Sequence, residues 1–118
     1  MQRDRQYLLD VIEASDRIAR YLDGMDLATF ERDDRTRSAV IYQLIVVGEA
    51  TNRVSENVRQ RYPEAPWQLA VDTRNLFAHQ YVDLNWERLW RTATISIPEF
   101  RAQITAILAA EFPEDEEE

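Results

Sequence analysis

The sequence predicts an all-α fold, an up-and-down bundle of four to five helices. Two observations carry this: only two glycines and four prolines interrupt the chain, and apolar residues recur at spacings of three and four rather than two. A third bounds it: 118 residues are one domain's worth, enough to bury about two thirds of the unfolded surface without staples.

The first helix is expected from Asp4 to Leu22, where Leu8, Val11, Ile12, Ser15, Ile18, Ala19 and Leu22 share a stripe and Asp23-Gly24 supplies the stop. Leu27 and Phe30 fall in a short connection. A long second helix begins at Asp33 or Asp34 and runs to about Arg61, ahead of Pro63 and Pro66. Within it Val40, Leu44, Val47, Thr51, Val54 and Val58 form one stripe, and Ile41, Ile45, Gly48 and Asn52 form its neighbour. So wide an arc packs on two sides, either at the centre of its own bundle or partly against a second protomer.

A third helix starts near Pro66, a good first-turn residue, carries Trp67, Leu69, Ala70, Leu76 and Phe77, and ends near His79 or Tyr81. Asp83 or Asn85 caps a fourth with Trp86, Leu89, Trp90 and Ala93; Pro98 kinks it or restarts it as a fifth with Phe100, Ile104, Ile107 and Leu108. The helical domain is expected to span residues 1–112. The tail at 113–118, P-E-D-E-E-E, is a like-charge run expected to be disordered.

Composition removes several chemistries. Without cysteine there is no disulfide scaffold, zinc-thiolate site, iron–sulfur cluster or cysteine nucleophile. Wholly apolar runs are short, Leu44 to Val47 among them, and the N-terminus M-Q-R-D-R-Q lacks an apolar core, so a cytoplasmic protein with no membrane partner is expected. The net charge of −8 is concentrated: Glu111 to Glu118 hold six acids and no base, leaving 16 acids against 14 bases over residues 1–110. All the bases are arginine, the side chain that grips phosphate bidentately and stays ionised.

Any imidazole chemistry must use His79, the single histidine, which sits in Thr73-Arg74-Asn75-Leu76-Phe77-Ala78-His79-Gln80-Tyr81. This string resembles the R-x4-H-x-Y signature of HEPN-domain toxins of the HepT type, the partners of minimal nucleotidyltransferases. Val47-Gly48-Glu49-Ala50 is similar to that family's glycine-glutamate-alanine stretch, and Pro66-Trp67, Trp86 and Pro98 sit where such proteins have them. The likeness covers most of residues 4–110 and makes the expected bundle HEPN-like. It implies a metal-independent endoribonuclease toxin, a homodimer whose two motifs face one another in a cleft, neutralised by a nucleotidyltransferase antitoxin. By position, Arg74 and His79 would be catalytic, with Asn75 the polar residue after the arginine. Tyr81 would be the motif tyrosine to which the partner adds AMP.

The chemistry of the residues agrees with that implication. RNA cleaves itself when its 2′-hydroxyl loses a proton, the leaving 5′-oxygen gains one and the phosphorane charge is stabilised. An imidazole of pKa about 6.5 exchanges protons at neutral pH and a guanidinium holds two phosphoryl oxygens. Geometry adds a constraint: at about 100° per residue, Arg74 and His79 lie about 140° apart on one helix, whereas Arg74 and Tyr81 share a face. Either the helix loosens near His79 or two chains share the site, and a twofold axis would supply two imidazoles, one base and one acid.

Glu49 reads equally as a group that orients an arginine across the cleft and as a solvated surface residue. Trp67, Trp86 and Trp90 are read as core residues rather than base-stacking platforms. Arg53, Arg59, Arg61, Arg88 and Arg91 either guide RNA or, for most of them, make surface ion pairs. No metal cluster, glycine-rich phosphate loop or cofactor motif stands out. The competing class is a non-catalytic helical dimer that binds or scaffolds a nucleotidyltransferase or nucleic acid.

Overall fold

A computed structural model describes residues 2–78 and 85–113. Every regular element among them is helical, in accord with the expected all-α bundle: α1 Gln2–Tyr21, α2 Leu27–Arg32, α3 Asp34–Arg53, α4 Glu56–Arg61, α5 Leu69–Ala78, α6 Trp86–Arg91, a π-helical turn Thr92–Ser96, and α7 Ile97–Glu111. The predicted tail beyond Pro113 lies outside the described residues.

Helix α1 lies between α3 and α7 and contributes Leu8, Val11, Ala14 and Ile18 to the core, with Leu22 buried just after it. Ala19, placed on this stripe from sequence, is exposed. From the other elements come Phe30, Val40, Leu44, Val47, Leu89, Ile97, Phe100 and Ile104, all buried. The three tryptophans pack half-buried against this core. Trp67 meets Phe100 edge-on at 6.2 Å and Trp90 lies tilted against Phe30 at 5.3 Å, so the core reading of these rings holds.

Three departures from the sequence reading have physical causes. The connection after Gly24 contains a helix, α2, because the Asp26 carboxylate accepts the Thr29 backbone N–H at 2.9 Å and caps it. The long helix expected to reach Arg61 stops at Arg53. There the Ser55 backbone N–H and hydroxyl donate to Asp4 of α1 at 2.8 and 2.7 Å, drawing residue 55 into extended backbone and making it the N-cap of α4. Arg59 reaches back to the carbonyls of Asn52 and Val54 and satisfies the end of α3. The third correction concerns Pro66, which is not in a first helical turn. Trp67 donates its indole N–H to the Tyr62 carbonyl at 2.8 Å, holding residues 65–68 in turns, so α5 starts three residues later at Leu69.

Pro98 acts as expected, through an identifiable register change. Lacking an N–H, it cannot bond the carbonyl four residues back, and the turn before it widens so that the Ile97 N–H bonds Thr92 O, five residues back.

Candidate functional site

Helix α3 is the frame of the candidate site. Its stripe of Val40, Leu44, Val47 and Thr51 is buried, with α1 packed alongside. The neighbouring stripe turns to α5 at Gly48: a Cβ built there would stand 3.6 Å from Ala70 O and from Thr73 Cβ and Cγ2. The wide apolar arc is therefore partly used inside the chain, the arrangement in which α3 is central to its own bundle. Part of it stays uncovered, since Tyr42 is 62% exposed and Ile45 41%, with Val71 of α5 exposed as well.

Ala70 and Thr73, both buried, fix the rotation of α5 just before the motif. Arg74 and Asn75 follow on the same helix, whose backbone is described through Ala78 and whose side chains through Thr73. His79 and Tyr81 lie outside the described residues, as does Asp83. Glu49 is on α3 beside Gly48, exposed, and forms no ion pair among the described residues.

The other flank of α5 opens on a groove of about 650 Å³ bounded by α7, with Glu64, Asp72 and Glu99 among its lining residues. Three carboxylates and no cation there disfavour a phosphodiester. Among the described residues no group of three or more histidine or acidic side chains is arranged to hold a metal ion. No described helix is long and apolar enough to cross a membrane.

After the motif the chain is described again from Asn85, whose side chain accepts the Arg88 N–H at 3.0 Å and caps α6, one of the two caps foreseen. The next residue, Trp86, lies under Arg37, whose guanidinium carbon is 4.6 Å from the ring centroid. The same guanidinium donates to the carbonyls of Phe30 and Glu31 at the end of α2, and Arg37 pairs with Asp34 at 3.4 Å. Sequence reading passed over Arg37. Its partner Trp86 lies 49 positions away, and no local pattern links the two.

Several of the remaining arginines have structural uses. Arg59 caps α3, Arg61 forms a bidentate pair with Glu111 that Tyr62 joins, and Arg101 pairs with Asp16. Arg53, Arg88 and Arg91 are exposed without ion pairs among the described residues.

The described elements form an all-helical bundle in which an arginine-bearing helix is seated on a central helix at a glycine, consistent with the expected HEPN-like bundle. Residues 11–107 match the family described as Ribonuclease HepT-like, and the chain belongs to that family. A candidate RNase of Methanocaldococcus jannaschii is 30% identical over 112 residues, covering 95% of this chain and 93% of the relative. A second from the same organism is 29% identical over 104 residues, 88% and 90% of the two chains. A probable ribonuclease HepT of Thermococcus cleftensis is 28% identical over 99 residues, 84% and 90%. No solved structure matches the chain.

Proposed function

We propose that the chain is a metal-independent endoribonuclease toxin that acts as a homodimer. The observation that carries this reading is that the family match spans Arg74 to Tyr81, a motif that begins on a helix whose rotation is fixed by Ala70 and Thr73. In the reaction, one His79 imidazole takes the proton of the RNA 2′-hydroxyl. The freed oxygen attacks the adjacent phosphorus, and the 5′-oxygen leaves with a proton from the second protomer's imidazole. Arg74 stabilises the equatorial oxygens of the phosphorane, and Asn75, four positions before His79 on the helical repeat, orients the imidazole.

The uncovered Tyr42, Ile45 and Val71 support contact between protomers along α3 and α5, with Glu49 on the same exposed strip of α3 as Tyr42 and Ile45. The exposed Arg88 and Arg91 of α6 are available to an RNA backbone, which the acidic groove beside α5 disfavours. The partner is a minimal nucleotidyltransferase that adds AMP to Tyr81. The added phosphates compete for Arg74 and fill the place of the RNA phosphate, switching cleavage off.

Two experiments test the reading. Cleaved RNA is expected to carry a 2′,3′-cyclic phosphate and a 5′-hydroxyl, and a strand with 2′-deoxyribose at the cut is expected to resist; products with 5′-phosphates would refute the mechanism. Co-expression with the nucleotidyltransferase is expected to add adenylate mass at Tyr81, and Tyr81→Phe is expected to stay unmodified and toxic. An adduct at another tyrosine such as Tyr62 would refute the regulation.

A further inference from the structure

We propose that a pocket between α1 and α3 is a base-reading subsite that takes the Watson–Crick edge of one unpaired guanine of the RNA. The inference rests on reading RNA as the substrate, and it deepens that reading by naming a base the strand presents.

An unused polar group carries it. The pocket measures about 140 Å³ and is floored by Ala14 of α1 and Val46 of α3. That is more than a bound water needs and less than the roughly 300–1,000 Å³ of a pocket for a drug-sized ligand, so it suits a single flat ring system. Gln43 of α3 lines it, is only 5% exposed and has no hydrogen-bond partner among the described residues. The Thr51 hydroxyl also lacks a partner but is sealed in the core, whereas the Gln43 amide is not sealed and meets the pocket. An unpaired buried amide destabilises a fold, and leucine would fill the same place on α3 without that penalty. The amide is therefore held for what enters the pocket.

The remaining lining groups select the edge that fits. Asp10 of α1 accepts the Gln6 side-chain amide on one carboxylate oxygen at 2.9 Å, and its other oxygen has no partner among the described residues. Of the four bases only guanine sets two N–H donors, on N1 and N2, beside an acceptor, O6. The Asp10 carboxylate takes the donors and the Gln43 amide donates to O6. Adenine and cytosine would turn ring acceptors toward the carboxylate. Glu13 is already paired with Arg17 at 3.1 Å, so Asp10 is the uncompensated charge, and Arg17, 44% exposed, is available to the phosphate of the bound nucleotide. Tyr42, 62% exposed, adds a ring face on which a base stacks. It belongs also to the α3 strip read above as protomer contact, so the pocket opens at the α1 edge of that strip. Gln43 and Asp10 are off the strip.

The test is equilibrium binding, read by fluorescence anisotropy, of the whole parent protein to short single strands with 2′-O-methyl ribose throughout, which resist cleavage. A strand with one guanine is expected to bind about tenfold tighter than the same strand with adenine in its place, and a strand with inosine, which lacks the N2 amino group, to fall between. Asp10→Asn and Gln43→Leu are each expected to bring the guanine and adenine strands within about twofold of one another, with the denaturant midpoint of Gln43→Leu equal to the parent's or higher. Asp10→Asn keeps the test open should Gln43→Leu fold poorly. Glu99→Gln removes a carboxylate from the groove beside α5 and is expected to leave the preference unchanged.

Equal binding of guanine and adenine strands by the parent, or a preference that survives Asp10→Asn, would overturn the subsite even where the protein cleaves RNA. Gln43→Leu that turns a dimer into a monomer with the guanine preference intact would make the pocket a socket for the second protomer and overturn it as well. A guanine preference in a protein that cuts no ribose strand would support the subsite and refute the nuclease reading. No binding of any strand would remove the RNA reading and the inference with it.

Discussion

Replacing Asp4 by alanine severs the tie that ends α3 and starts α4. The Asp4 carboxylate is 4% exposed and accepts both the backbone N–H and the hydroxyl of Ser55, at 2.8 and 2.7 Å. Hydrogen bonds to a charged group contribute about 1.5–3 kcal/mol each, and the part-buried Ser55 recovers some of that from water once the carboxylate is gone. Asp4 also lies in the first turn of α1, where a negative charge adds about 0.5 kcal/mol. Together these give a loss of about 3 kcal/mol, or about 12 °C in melting temperature for a chain of this size. Burial raises the Asp4 pKa, but the two Ser55 hydrogen bonds outweigh it and leave the group below its ordinary value. A carboxylate with a depressed folded pKa contributes stability that is full above the unfolded value of about 3.9 and lost as pH falls through the folded one. Urea unfolding is therefore expected to separate parent and Asp4→Ala by about 3 kcal/mol at pH 7, with the gap narrowing below pH about 4. A gap under about 0.5 kcal/mol at neutral pH, or one that does not narrow in acid, would refute this account of the helix break.

Gly48→Ala is expected to stabilise by up to about 1 kcal/mol, because the added methyl meets Ala70 and Thr73 at ordinary contact distance and alanine is the better helix former; Gly48→Leu is expected to push α5 off α3 and destabilise, both read from thermal melts. Glu111→Gln is expected to lower the Tyr62 pKa, which its hydrogen bond to the carboxylate holds above the usual value, as seen in ultraviolet titration against the parent. Sedimentation is expected to report about twice the 13.9 kDa chain mass, and Tyr42→Glu with Ile45→Glu to shift the protein toward monomer and lower cleavage together with mass. A monomeric parent at micromolar concentration would remove the two-imidazole argument.

The sequence carried the helices wherever the signal was local. Asp33 begins α3 because its carboxylate accepts the Thr36 N–H, Asn85 begins α6 in the same way, and Pro98 marks the register change before α7. Features made by distant partners were illegible. Val54 and Val58 continue the apolar stripe across a real break, because the stripe records burial whereas the break is made by Asp4, 51 residues upstream. A local hint existed in Ser55 followed by Glu56, a cap and an acidic first turn. The α3 arc correctly implied packing on two sides, but periodicity does not name the neighbour, and Gly48 against Thr73 shows that one neighbour is α5. For the site, sequence pointed to the α5 motif and to Glu49, which α3 does present to solvent beside Gly48. It missed Arg37, whose environment is assembled from three helices.

The most direct measurement is cleavage of a defined single-stranded RNA by purified parent protein, His79→Ala and Arg74→Ala in excess chelator, with circular dichroism confirming that all three are folded. The account predicts that the parent cuts without added metal and that each substitution lowers the rate by about 10²–10⁴-fold. Cleavage that requires magnesium, or that persists in folded His79→Ala, would contradict it.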